Sequence, residues 1–216
     1  MAGGGISKAE ASSSLRVTAN DAVPGGVQVP PSARNLRAAR AALGDRPLVL
    51  VGLMGAGKTT VGRQIAQFMA LSFTDADEEI EAVSRMSVAD LFAEYGEDEF
   101  RALERRVIER LARSGPGVLA TGGGAFMDER TRTLLNAETR TVWLRAELDV
   151  LVERTARKKT RPLLRTGDPK AILGRLMRER YPVYAEAHAT VEATQTRREV
   201  VASRVVAALA ALKEPA

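Results

Sequence analysis

The rhythm of apolar and polar positions changes at residue 47. Beyond it, short apolar runs alternate with longer stretches of helical period. "PLVLVGL", starting at Pro47, is an apolar run closing on glycine, as expected of a strand buried on both faces. "KTTVGRQIAQFMA" follows, with Val61, Ile65 and Phe68 at helical spacing, and "LSFTD" reads as a second strand. "SVADLFAEYG" and "EDEFRALERRVIERLARS" predict two helices. Ser87 and Asp90 suit a capping box for the first, and Phe100, Leu103, Val107 and Leu111 form one stripe on the second. "GVLATGGGA" is a strand entering a glycine turn, and "TRTVWLRA" is a strand again. "AELDVLVERTARKK" and "DPKAILGRLMRERYPVYAEAH" predict helices, the latter bent at Pro182. "ATVEA" is a last strand and "RREVVASRVVAALAAL" a closing helix. Strands alternating with helices imply an α/β fold, a parallel sheet covered on both faces.

Residues 1–45 read differently. Clusters such as "AGGG", "ASSS" and "VPGGVQVPPS", with no aromatic residue, predict a flexible extension ahead of a domain at 46–213. A short amphipathic helix fits about residues 32–43.

Composition narrows the chemistry. A chain of 216 residues suits one domain with a substantial core. The absence of Cys excludes disulfides, thiolate zinc sites and a cysteine nucleophile. The single histidine, His188, sits before the last strand and reads as structural, which leaves a Ser–His–Asp triad unsupported. No apolar run approaches the ~20 residues that span a bilayer, and residues 1–14 lack the layout of a secretory signal. The expectation is a cytoplasmic protein without a membrane partner. A net charge of +5 invites a nucleic-acid reading. The basic residues are interspersed with acids and aromatics are only 4%, so small anionic ligands, not nucleic acid, are the expected partners.

The most informative stretch is "VGLMGAGKTT". Gly52, Gly57, Lys58 and Thr59 match G-x-x-x-x-G-K-[ST] between a strand and a helix, the context such a phosphate loop requires. Glycines let backbone N–H groups of the loop, including Gly55, Ala56 and Thr60, turn toward a phosphate at a helix N-terminus. Lys58 supplies a point charge for the β- and γ-phosphates, and the Thr59 hydroxyl can ligate Mg²⁺. GTPases, motor ATPases and kinases share this loop, so it announces a held triphosphate and leaves its use open.

Other groups converge on the same edge. Asp75 and Asp77 follow the second strand, where open parallel sheets bind ligands. On extended backbone they point apart, so one suits Mg²⁺ and the other a substrate hydroxyl; Asp77, Glu78 and Glu79 equally suit a helix N-terminus. Arg101 lies beside the apolar stripe with Glu104 one turn on, where an arginine usually snorkels at the surface, and Arg180 is a candidate anion clamp on a helix. Gly122, Gly123 and Gly124 suit a backbone that a ligand approaches closely. "RKKTRPLL", with Arg157, Lys158, Lys159 and Arg161, suits a basic lid at about 155–167.

In this order and spacing, "GLMGAGKTTVGR", "FTDADEEIE", "FRALE", "TGGGA", "TRPLL" and "RERYPVY" resemble the shikimate kinases over about residues 47–212. The resemblance implies a P-loop, nucleoside-monophosphate-kinase-like fold with five parallel strands in the order 2-3-1-4-5. It implies Mg²⁺-dependent transfer of the ATP γ-phosphate to the 3-hydroxyl of shikimate, in a monomer. By the same resemblance Thr59 and Asp75 manage Mg²⁺, and Asp77 meets the ring hydroxyls and helps accept the proton. Arg101 and Arg180 grip the carboxylate, with the Gly122–Gly124 backbone at the substrate. Arg161 reaches the phosphates from the lid, while Arg154 and Arg197 border the adenine. His188 stands where the family pattern often has an Asp, with a packing change as the expected consequence. The alternatives are another small-metabolite kinase of this fold, acting on gluconate, and a P-loop regulator that senses a ligand.

Overall fold

The computed structural model describes residues 17–18, 29–156, 168–194 and 196–212. Among the described residues six strands occur, all parallel: β1 (Val17–Thr18), β2 (Leu48–Val51), β3 (Phe73–Asp75), β4 (Val118–Ala120), β5 (Arg140–Arg145) and β6 (Ala189–Glu192). They lie in the order β1-β6-β5-β2-β4-β3. Counted from β2, the main sheet of five is therefore 2-3-1-4-5, with the two-residue β1 added beyond β6. The central strand explains its sequence: all four residues of β2 are buried, since helices cover both faces. Each such Val or Leu contributes about 1.5–3 kcal/mol of burial.

The helices are α1 (Ala33–Leu43), α2 (Lys58–Met69), α3 (Ala76–Ser84), α4 (Val88–Ala112), α5 (Glu129–Glu138), α6 (Leu148–Ala156), α7 (Pro169–Tyr184) and α8 (Arg198–Ala210). The two helices expected over 87–114 meet end to end as α4 and break at Gly96, whose φ of 80° is open to glycine. Ser87 caps the first half as expected, its Oγ accepting from the Asp90 amide at 3.1 Å. Helix α7 runs through Pro182 to Tyr184.

Two differences from the sequence reading concern its quiet regions. The helix near residues 32–43 is present, but as part of the packed body and not of an extension. Ser32 caps it, Ala39, Ala42 and Leu43 are buried, and Arg140 Nε donates to the Ala42 carbonyl at 3.0 Å. The packed body thus starts ahead of residue 46, while residues 1–16 and 19–28 of the proposed extension lie outside the described residues. Helix α5, which the periodicity did not single out, is set by Asp128, whose Oδ1 accepts from the Thr131 amide (2.8 Å) and hydroxyl (2.9 Å). Among the described residues no helix is long and apolar enough to cross a membrane, and no cluster of metal-ligating His, Cys, Asp or Glu occurs.

Candidate active site

Three strands deliver the site at their carboxyl ends, on the edge where doubly wound sheets bind ligands. The phosphate loop follows β2, Asp75 ends β3, and Thr121–Gly124 follow β4. The loop, Asp75, Asp77, Thr121 and Gly123, with Arg154 and residues about the start of α8, line a cleft of about 380 Å³.

In the loop, Gly55 (φ 85°) and Gly57 (φ 95°) occupy backbone that other residues rarely adopt, which turns the chain into the N-terminus of α2. Lys58 Nζ donates to the carbonyls of Gly52 (2.7 Å) and Leu53 (3.2 Å), so its charge is held over the loop. The Thr59 hydroxyl donates to Asp75 Oδ2 at 2.7 Å, while Asp75 Oδ1 caps α3 by accepting from the Asp77 amide at 3.1 Å. One carboxylate thus ties α2 to α3, and Asp77 is left to face the glycine turn. Arg154 donates to the Thr194 carbonyl at 2.7 Å and, at 3.4 Å, to those of Ala56 and Ala193. It bridges the loop and the segment before α8.

The glycine turn is where side chains from three helices meet. A Cβ on Gly122 would lie 2.9 Å from Asp77 Oδ1 and 2.8 Å from Glu104 Oε1. One on Gly123 would lie 3.5 Å from the Met54 amide, and one on Gly124 only 2.5 Å from Arg101 Nη2. Each glycine is therefore the floor beneath a different functional group. Arg101 donates to Glu104 at 2.6 Å and to Glu97 at 3.1 Å, with Phe100 and Phe92 against its guanidinium. Burial acts to lower its pKa, but Glu104 and Glu97 outweigh it and hold the charge more firmly. Glu104 is almost wholly buried, and that burial raises its carboxyl above the usual range, against the pull of Arg101. Arg180 Nη1 donates to the Gly123 carbonyl at 2.8 Å, and the hydroxyl of the buried Tyr184 donates to the same oxygen. Burial pushes the Tyr184 phenol up to about 12, so it stays a donor. Trp143 lies under the junction of both loops: a Cβ on Gly52 would meet its Cδ1 at 3.4 Å, and its buried indole N–H has no hydrogen-bond partner among the described residues.

The structure thus brings together Gly55–Thr60, Asp75, Asp77, Arg101, Gly122–Gly124, Arg154 and Arg180 on one edge of the sheet. Arg197 stands apart, its side chain 85% exposed and 3.6 Å from Glu199; its neighbour Arg198 lines the cleft. Arg161 and nearly all of the expected lid lie outside the described residues. His188 is structural: its Nδ1 accepts from the Thr141 amide at 3.1 Å and meets the Thr141 hydroxyl at 2.8 Å, the acceptor task an aspartate would also perform. Glu104 and Tyr184 were not among the site residues drawn from sequence, though both left a signal. Glu104 interrupts the apolar stripe at a core position, and Tyr184 lies one turn from Arg180 on the same face.

Relatives give this arrangement a family. The shikimate kinase family model matches residues 54–210. A shikimate kinase of Mesorhizobium japonicum is 53% identical over 182 residues, covering 84% of this chain and 90% of its own. One from Rhizobium meliloti is 54% identical over 184 residues, covering 85% and 96%. The solved shikimate kinase from Acinetobacter baumannii in complex with shikimate superposes with a TM-score of 0.73 at 37% identity, covering 77% of this chain and 94% of that one. With the family match spanning well over half the chain, the protein belongs to the shikimate kinase family.

Proposed function

We propose that this ATP-dependent kinase transfers the γ-phosphoryl group of ATP to the 3-hydroxyl of shikimate, giving shikimate 3-phosphate and ADP on the route to chorismate and the aromatic amino acids. The observation that supports the site assignment is the glycine turn: Asp77, Arg101 and Arg180 rest against three successive glycines, and Gly123 approaches the phosphate loop. Shikimate is a small carboxylate with three hydroxyls, and two guanidinium groups with one carboxylate are the complementary set. Family membership favours neither a gluconate kinase nor a regulator.

In this reading Lys58 moves its ammonium from the loop carbonyls to the β- and γ-phosphates and neutralises charge that develops there. Asp77 orients the acceptor hydroxyl and takes its proton as that oxygen bonds to the γ-phosphorus and the bond to ADP breaks. Arg101, stiffened by Glu104, and Arg180 hold the carboxylate and so fix the ring's orientation. Arg154 borders the nucleotide base, and Arg161 is assigned to the phosphates by the family resemblance alone. Thr59 and Asp75 present hard oxygen donors 2.7 Å apart, a pair that fits Mg²⁺ completed by phosphates and water. When bound, Mg²⁺ supplies charge neutralisation at the phosphate oxygens. One chain supplies both subsites, in keeping with a monomer.

An assay of ADP release with shikimate and with gluconate tests the substrate assignment. Turnover with shikimate is expected, and turnover with gluconate alone overturns it.

A further inference from the structure

The Gly123 carbonyl receives two donors, Arg180 Nη1 and the Tyr184 hydroxyl. The Arg180 guanidinium and the Tyr184 hydroxyl, one turn apart on α7, thus meet on one oxygen. The Tyr184 ring is fully buried and cannot drift: Phe126 stacks on it with centroids 6.4 Å apart, and Trp143 lies at 5.9 Å. On its other side Gly123 faces the phosphate loop, where a Cβ would lie 3.6 Å from the Gly52 carbonyl that Lys58 holds. The peptide at Gly123 is thus wedged between the donor loop and α7.

Arg180 commits Nη1 to its own backbone, and turning the Nη1–Nη2 fork onto a substrate carboxylate takes that donor from Gly123. If it were the sole donor, its departure would leave a half-buried carbonyl unpaired, and that cost would oppose binding. Tyr184 removes the opposition because its hydroxyl stays on the same oxygen. We infer that Tyr184 is a positioning residue for the acceptor: it keeps the Gly123 carbonyl paired and the turn in place, which releases Arg180 to the substrate carboxylate. The inference rests on the reading of Arg180 as a carboxylate clamp. It assigns the last tyrosine of "RERYPVY" a task that its apolar surroundings conceal.

Steady-state kinetics of the full chain test it with Tyr184→Phe, Arg180→Ala and the double variant. Phenylalanine keeps the ring and its packing and removes the hydroxyl alone. Tyr184→Phe is expected to raise KM for shikimate about tenfold while KM for ATP stays within about twofold, because one hydrogen bond to the acceptor side is lost. The double variant is expected to match Arg180→Ala within about twofold, since the two residues act through one contact. A Tyr184→Phe enzyme with unchanged KM for shikimate overturns the inference. So does one in which both KM values rise together as the melting temperature falls, which marks a core filler. If Arg180→Ala itself leaves KM for shikimate unchanged, the clamp reading fails, and this inference with it. Loss of shikimate affinity in Arg180→Ala but not in Tyr184→Phe sinks this inference alone.

Discussion

The phosphate loop and the Gly122–Gly124 turn both leave a parallel strand at its carboxyl end, and both depend on glycine, but for opposite reasons. At Gly57 the constraint is conformational: φ is 95°, yet an added Cβ would meet nothing nearer than 3.8 Å. At Gly124 the backbone is ordinary, with φ at −101°, and the constraint is space, because Arg101 rests 2.5 Å from where a Cβ would stand. The phosphate loop is shaped by glycines of positive φ that turn the chain into α2. The acceptor turn is stripped so that side chains from α3, α4 and α7 can lean on it. In the proposed reading the nucleotide half relies on glycine-shaped backbone as well as side chains, and the acceptor half on side chains carried by other elements.

Substitutions can break either half. Lys58→Ala should do most damage, lowering kcat by on the order of 10³-fold, as loss of a preorganised charge at developing phosphate charge does. Measured ADP release within tenfold of the parent would remove Lys58 from the donor half. Arg101→Ala should raise KM for shikimate by on the order of 10²-fold through lost charge-assisted hydrogen bonds, with nucleotide affinity nearly intact. Titration calorimetry with each substrate separates the two. The sharpest contrast is between two single methyl groups. Gly57→Ala should weaken ATP about tenfold through the roughly 1–2 kcal/mol cost of left-handed backbone. Gly124→Ala should weaken shikimate by a similar factor, about tenfold, by pushing Arg101 off its floor. Equal effects of both on both substrates would mean that the halves are not separable.

The smallest effect lies outside both. Burial, with Arg140 and Arg46 nearby, lowers the His188 pKa from 6.5 to about 4, so folding favours the neutral ring whose Nδ1 accepts from Thr141. The stability this gives is complete above pH 6.5 and is lost as pH falls toward 4. His188→Asn keeps an acceptor and removes the titration. Its melting temperature should therefore fall less steeply across that window, while activity at neutral pH is unaffected.

Much of this was legible because local chemistry dictates it. The strand–glycine–lysine–helix order around Gly57 and Lys58 needs no tertiary context, and neither does the apolar run of β2. Asp75 and Asp77 were legible as a pair, but which of them would turn toward Thr59 depended on the path of α3. Arg197 and Arg198 differ by one residue at a helix start, where a small change in the entering backbone decides which side chain meets the cleft. Helix α1 was underrated because the Gly- and Pro-rich chain ahead of it coloured the whole segment, and its buried face is mostly alanine. The sequence sets Glu104 one turn from Arg101; only the packing of α4 shows that it is buried and that it holds Arg101.

Trp143 is the chain's only tryptophan, and it lies where the two glycine loops come closest, with an indole N–H that has no hydrogen-bond partner among the described residues. The protein therefore carries a single tryptophan, whose emission can be excited apart from that of its three tyrosines, beside the proposed junction of its two substrates. Emission from that one ring can follow the filling of each half in turn without any added label, and the order in which ATP and shikimate arrive becomes a question for a fluorimeter.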